Sequence, residues 1–93
     1  SSVNRVDVLN QAEQLINGPR AQDYGDAREN FGRVAQVWSA LLDQHIKPEQ
    51  VALCMTALKM CRLAKTLDHT DSWIDAAGYI ALGAEIATKD KTE

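Results

Sequence analysis

No apolar run in this chain reaches the roughly 20 residues that a membrane-spanning helix needs. A membrane role is therefore not expected. Basic runs are missing as well: Lys89 and Lys91 are diluted by Asp90 and Glu93, and the formal net charge is −3. A dedicated nucleic-acid binder usually carries a basic patch, so nucleic acid is not an expected partner. Arg5, Asp7, Asn10 and Glu13 interrupt any hydrophobic region near the first residues. No signal peptide is expected from them, and the expected location is the cytoplasm. A Gly-rich phosphate loop is absent, and no Ser-His-Asp or Cys-His grouping follows from the spacing. Neither His45 nor His69 has the i, i+4 partner of a zinc-protease motif.

Cysteine is scarce. Cys54 and Cys61 are the only two. Seven residues apart on one helix, they stand about 10 Å apart, too far for a disulfide within one chain. Two cysteines do not make a zinc site. Both are read as buried small hydrophobes. Ninety-three residues allow one domain, with a core small enough to gain from oligomerisation.

Strand alternation is absent, whereas helical spacing is plain. Val6, Leu9, Ala12, Leu15 and Ile16 recur at helical intervals, and Gly18-Pro19 stops that helix. The segment from Pro19 to Asp26 is a connector holding Arg20, Asp23, Tyr24 and Gly25. Asp26 is the expected N-cap of a second helix, with Glu29 three residues on. Phe31, Val34, Ala35, Trp38, Leu41 and Leu42 form its apolar stripe. Pro48 opens a third helix. Apolar residues wrap nearly all of that helix, which makes it central or covered by a second subunit. Lys59, Arg62 and Lys65, three apart, form a cationic ridge on it. Thr70 is the expected N-cap of a fourth helix rich in small residues. Gly78 and Gly83 inside it imply close helix–helix approach, since each glycine costs up to about 1 kcal/mol against alanine. The expected helices span about 3–17, 26–44, 48–66 and 71–88, with a flexible tail at 89–93. The fold class is all-α, a four-helix bundle completed by oligomerisation.

Asp75 lies among Trp73, Ile74, Ala76 and Ala77, with Asp71 four residues before it on the same helical face. A carboxylate among apolar side chains needs a positive companion, either a side chain or a metal. A turn centred near Asp68 places Arg62 level with Asp75 and Lys65 near Asp71. One reading is a structural Arg62–Asp75 ion pair, with Asp71 complementing the helix N-terminus. The other collects a site. Asp71 and Asp75 would hold Mg²⁺, with Glu29 or Asp26 completing the shell. Lys59 and Arg62 would meet phosphate oxygens. Tyr24 would stack on a base, and Asn30 would read a polar edge.

The strings DYGDARENFGRVAQVWSALL, VALCMTALKMCRL and HTDSWIDAAGY resemble a family of small phage and prophage proteins of unknown function. The shared elements are Tyr24-Gly25, Glu29 to Phe31, Trp38-Ser39, Lys59 with Arg62, and Asp71, Asp75, Gly78 and Tyr79. They cover roughly residues 20 to 82. That family is in turn distantly similar to the MazG-like all-α nucleoside triphosphate pyrophosphohydrolases. In those enzymes an E-x-x-E on one helix and an E-x-x-D on a later helix bind Mg²⁺ at the triphosphate. Asp71 and Asp75 match the later motif at spacing four instead of three. Asp26 and Glu29 have the earlier motif's spacing, after which Asn30-Phe31-Gly32-Arg33 adds no acid. The resemblance implies a nucleotide or other phosphate-bearing small molecule as ligand, and a homo-oligomer, dimer or tetramer. It leaves open a Mg²⁺-dependent pyrophosphohydrolase, a non-catalytic nucleotide binder and a helical protein-interaction module.

Overall fold

The computed structural model describes residues 2–19 and 26–89. The expectations for Arg20, Asp23, Tyr24, Gly25 and the tail beyond Lys89 lie outside those residues. Within them the chain is all-helical, and no strand occurs among the described residues. The helices are α1 (Arg5–Asn17), α2 (Ala27–Leu42), α3 (Pro48–Lys65) and α4 (Thr70–Thr88).

Local chemistry sets the ends. Asn4 caps α1, its Oδ1 accepting from the Asp7 amide at 2.8 Å, so this helix begins two residues later than its apolar pattern suggests. Asp26 caps α2 as expected, its carboxylate accepting from the Arg28 amide. That helix ends at Leu42 because Asp43 turns left-handed, with φ 51°, and its amide donates to the Ser39 carbonyl. The Ser39 hydroxyl then accepts from the Ile46 amide at 2.9 Å, drawing the loop back onto α2. Pro48 takes the first turn of α3. The N-cap of α4 is His69 rather than Thr70, and no cap side chain accepts from the first turn.

Helices α3 and α4 form an antiparallel hairpin, the most extensive helix pair. The next are α1 on α4 and α2 on α3. The arrangement is thus a central hairpin with one helix laid on each arm. Phe31, Ala35, Val51, Ala52 and Ile86 form the core cluster, flanked by Val34, Trp38, Ile46, Met55, Tyr79 and Leu82. The two glycines of α4 sit where they were expected to matter. A Cβ on Gly83 would stand 3.0 Å from the Ala52 Cβ, and one on Gly78 would stand 3.2 Å from the Ile16 side chain. Close approach of α4 to α3 and to α1 therefore uses the missing methyl groups.

Cys54 and Cys61 are exposed, not buried. Helix α3 is apolar all round, but α2 and α4 cover only one side of it, and both thiols lie on the other. Leu41 and Leu42 at the end of the α2 stripe are also exposed: among the described residues no element continues the core beneath them. Trp38 packs against the core as expected.

Candidate functional site

Asp75 does meet a cation, and the cation is Lys59. The Lys59 Nζ stands 3.1 Å from the Asp75 Oδ2, with 22% and 29% of the two side chains accessible. The pairing of Asp75 with Arg62 and the approach of Lys65 to Asp71 are not found. Helix α3 ends at Lys65 and α4 starts at Thr70, so the turn is centred slightly before Asp68. Lys59 and Asp75 are then nearly level. Helical rotation decides the rest: residues three apart differ by about 60° around the axis, which carries Arg62 away from Asp75.

Arg62 serves the turn instead. Its Nη2 lies 3.3 Å from the His69 Nε2, and the His69 Nδ1 lies 2.8 Å from the Ser72 Oγ. A guanidinium only donates, so Nε2 accepts. Nδ1 then carries the proton and donates to Ser72, which is almost fully buried. The indole of Trp73 donates to the Leu67 carbonyl at 2.7 Å. Together these bonds close the α3–α4 turn and fix the start of α4.

Asp71 and Asp75 share one open cleft of about 530 Å³ between α1 and α4. Leu15, Pro19 and Ile74 supply its apolar wall, and Gln11 and Gln14 supply carboxamides. Asp71 is exposed and has no side-chain partner among the described residues. The two glutamines were not legible as site residues. The one signal that bears on them is Gly78, which admits α1 against α4.

Glu29 and Asn30, in the first turn of α2, do not line this cleft. Nor do Lys59 and Arg62, which face Asp75 and His69. Among the described residues no three His, Cys, Asp or Glu side chains group as a metal site, so Glu29, Asp71 and Asp75 do not form a set there. Helix α2 does reach α4 nearby, through the Phe31 and Tyr79 rings at 6.3 Å between centroids. Tyr24 lies outside the described residues.

These features define a small all-helical domain with an acid- and amide-lined cleft on a helical hairpin. Residues 7–87 match the family described as Domain of unknown function (DUF6378), and the chain belongs to that family. It is 45% identical over 75 residues to the Gene 55 protein of Mycobacterium phage L5, a match covering 80% of this chain and 48% of that protein. The Gene 55 protein of Mycobacterium phage D29 is 40% identical over 72 residues, 77% of this chain and 48% of that protein. The phage kinship read from the residue strings is thereby borne out. The chain spans about half the length of these curated relatives. No solved structure matches the chain.

Proposed function

We propose that this domain binds a Mg²⁺-complexed nucleotide, or a related phosphate-bearing small molecule, at the Asp71–Asp75 cleft. The observation that supports the reading best is that these two aspartates line one open cleft together with Gln11 and Gln14. The donors are all oxygen, the set that Mg²⁺ takes, and Mg²⁺ is bound through one or two carboxylates plus substrate phosphates and water. A complete protein cage is therefore not required for a metal that arrives with its nucleotide. Lys59, already beside Asp75, is the nearest cation to a phosphate placed there. Asn30 and Tyr24 remain proposed contacts to the base, Arg62 to phosphate and Glu29 to the metal.

The distant MazG-like resemblance supports a second reading, Mg²⁺-dependent hydrolysis of a nucleoside triphosphate between its α and β phosphates. The Phe31–Tyr79 contact favours it, because it joins α2, two residues after Glu29, to α4, one turn after Asp75. When bound, the metal would polarise the phosphate and lower the pKa of an attacking water. Self-association into a dimer or tetramer in the cytoplasm belongs to both readings.

Thermal denaturation against a nucleotide panel with Mg²⁺ or Mn²⁺ tests the proposal. A ligand at 100 times its dissociation constant should add about 2.7 kcal/mol, and Asp71→Asn should abolish the response while leaving the fold intact. No shift with any nucleotide removes both readings. A shift without pyrophosphate release supports binding alone.

A further inference from the structure

A bare apolar surface lies on the hairpin, on the side facing away from α2. Ala52 and Gly83 mark where α3 and α4 touch. Met55 and Val51 on α3, and Tyr79 and Ile86 on α4, turn from that contact toward α2. A quarter turn the other way lie Leu53 and Met60 on α3 and Trp73 and Ile80 on α4. All four are about half exposed or more, at 59%, 62%, 50% and 49%. Exposed Ala57 and Ala64 on α3 and Ala84 on α4 lie among them, so large and small side chains alternate over two adjacent helices. Lys59, Arg62, Lys65, Asp71 and Asp75 project in other directions, and Glu49 and Asp68 stand at the two rims.

We infer that this face is the self-association surface, covered by the same face of a second copy of the chain. The inference deepens the self-association part of the reading above and is independent of nucleotide binding. Area, charge and shape support a second copy. A standard interface takes about 800 Å² from each partner, and four half-exposed large side chains, the alanines between them and Leu67 at the turn offer apolar area of that order. The chain carries a net charge of −3, so two copies repel except where they meet without charge, and between its Glu49 and Asp68 rims this face is uncharged. A two-helix face laid on its own twofold image places large residues over small ones and makes a four-helix core from two hairpins. Trp73 is held in place before association by its bond to the Leu67 carbonyl, so little side-chain freedom is lost when it is covered.

Sedimentation velocity across a range of concentrations reads the assembly. The intact chain is expected to sediment as a dimer. Leu53→Glu and Ile80→Glu are each expected to give a monomer of unchanged helicity by circular dichroism. Leu41→Glu, on the exposed end of α2, is expected to leave the dimer in place. A monomer at every concentration overturns the inference. So does a dimer that survives both hairpin substitutions or one that dissociates with Leu41→Glu. Should a substitution cost helicity, hydroxyl-radical labelling of the unmodified protein decides. Met60 and Trp73 protected at high concentration and labelled on dilution uphold the surface, and equal labelling at both overturns it. A dimer without a nucleotide response would remove the cleft's proposed ligand and leave this surface standing.

Discussion

A carboxylate and an ammonium 3.1 Å apart, each with roughly a quarter of its side chain in water, sit between two energetic regimes. Losing one partner of a fully buried pair costs roughly 3–5 kcal/mol, because the survivor keeps its desolvation penalty. Solvent reaches Lys59 and Asp75, so the cost falls toward the exposed limit. Lys59→Met is expected to destabilise the domain by about 1 kcal/mol in urea unfolding. Asp75→Asn should cost a similar amount, and the double variant less than the two single changes added, because they remove one shared interaction. Strict additivity would show that the two side chains act independently. The need for a cation near Asp75 was legible because the surrounding sequence is apolar. Which cation meets it was not, since Lys59 and Arg62 differ by only about 60° around α3 and both reach far enough.

At the scale of elements, the glycines separate two effects that share one substitution. Replacing a helical glycine by alanine gains up to about 1 kcal/mol from backbone entropy, provided the methyl group has room. Gly32 in α2 has nothing within 4 Å of an added Cβ, whereas Gly83 faces the Ala52 Cβ at 3.0 Å. Gly32→Ala is therefore expected to raise stability by about 0.5–1 kcal/mol. Gly83→Ala should lower it by forcing α3 and α4 apart, and differential scanning calorimetry of the two variants should show melting shifts of opposite sign. Helix positions were legible to within about two residues, because apolar spacing, the Asp26 cap and a first-turn Pro48 are local signals. Less legible was which apolar face would find a partner. Cys54, Cys61, Leu41 and Leu42 follow helical spacing as well as any core residue, yet the tertiary arrangement covers none of them. Gln11 and Gln14 enter the cleft only because α1 folds onto α4, a long-range event that the spacing within α1 does not encode.

Over the whole molecule, stability is unevenly shared. Helices α3 and α4 brace each other along their length, while α1 has only α4 as a substantial neighbour among the described helices. The amides of α1 are expected to exchange with solvent well before those of α3 and α4, in a local opening that leaves the hairpin folded. Uniform exchange across all four helices would indicate a single cooperative unit instead. Because α1 supplies one wall of the cleft, a ligand bound there should slow α1 exchange selectively.

Trp73 gives this molecule a native optical reporter. Its indole nitrogen is tied to the carbonyl of Leu67 while its ring still meets water, whereas Trp38, the second indole, rests against the core. Emission from the first should move to the blue when the hairpin face is covered and to the red when the turn opens. One chromophore already in the chain thus reads two events with opposite colour changes, without any attached dye.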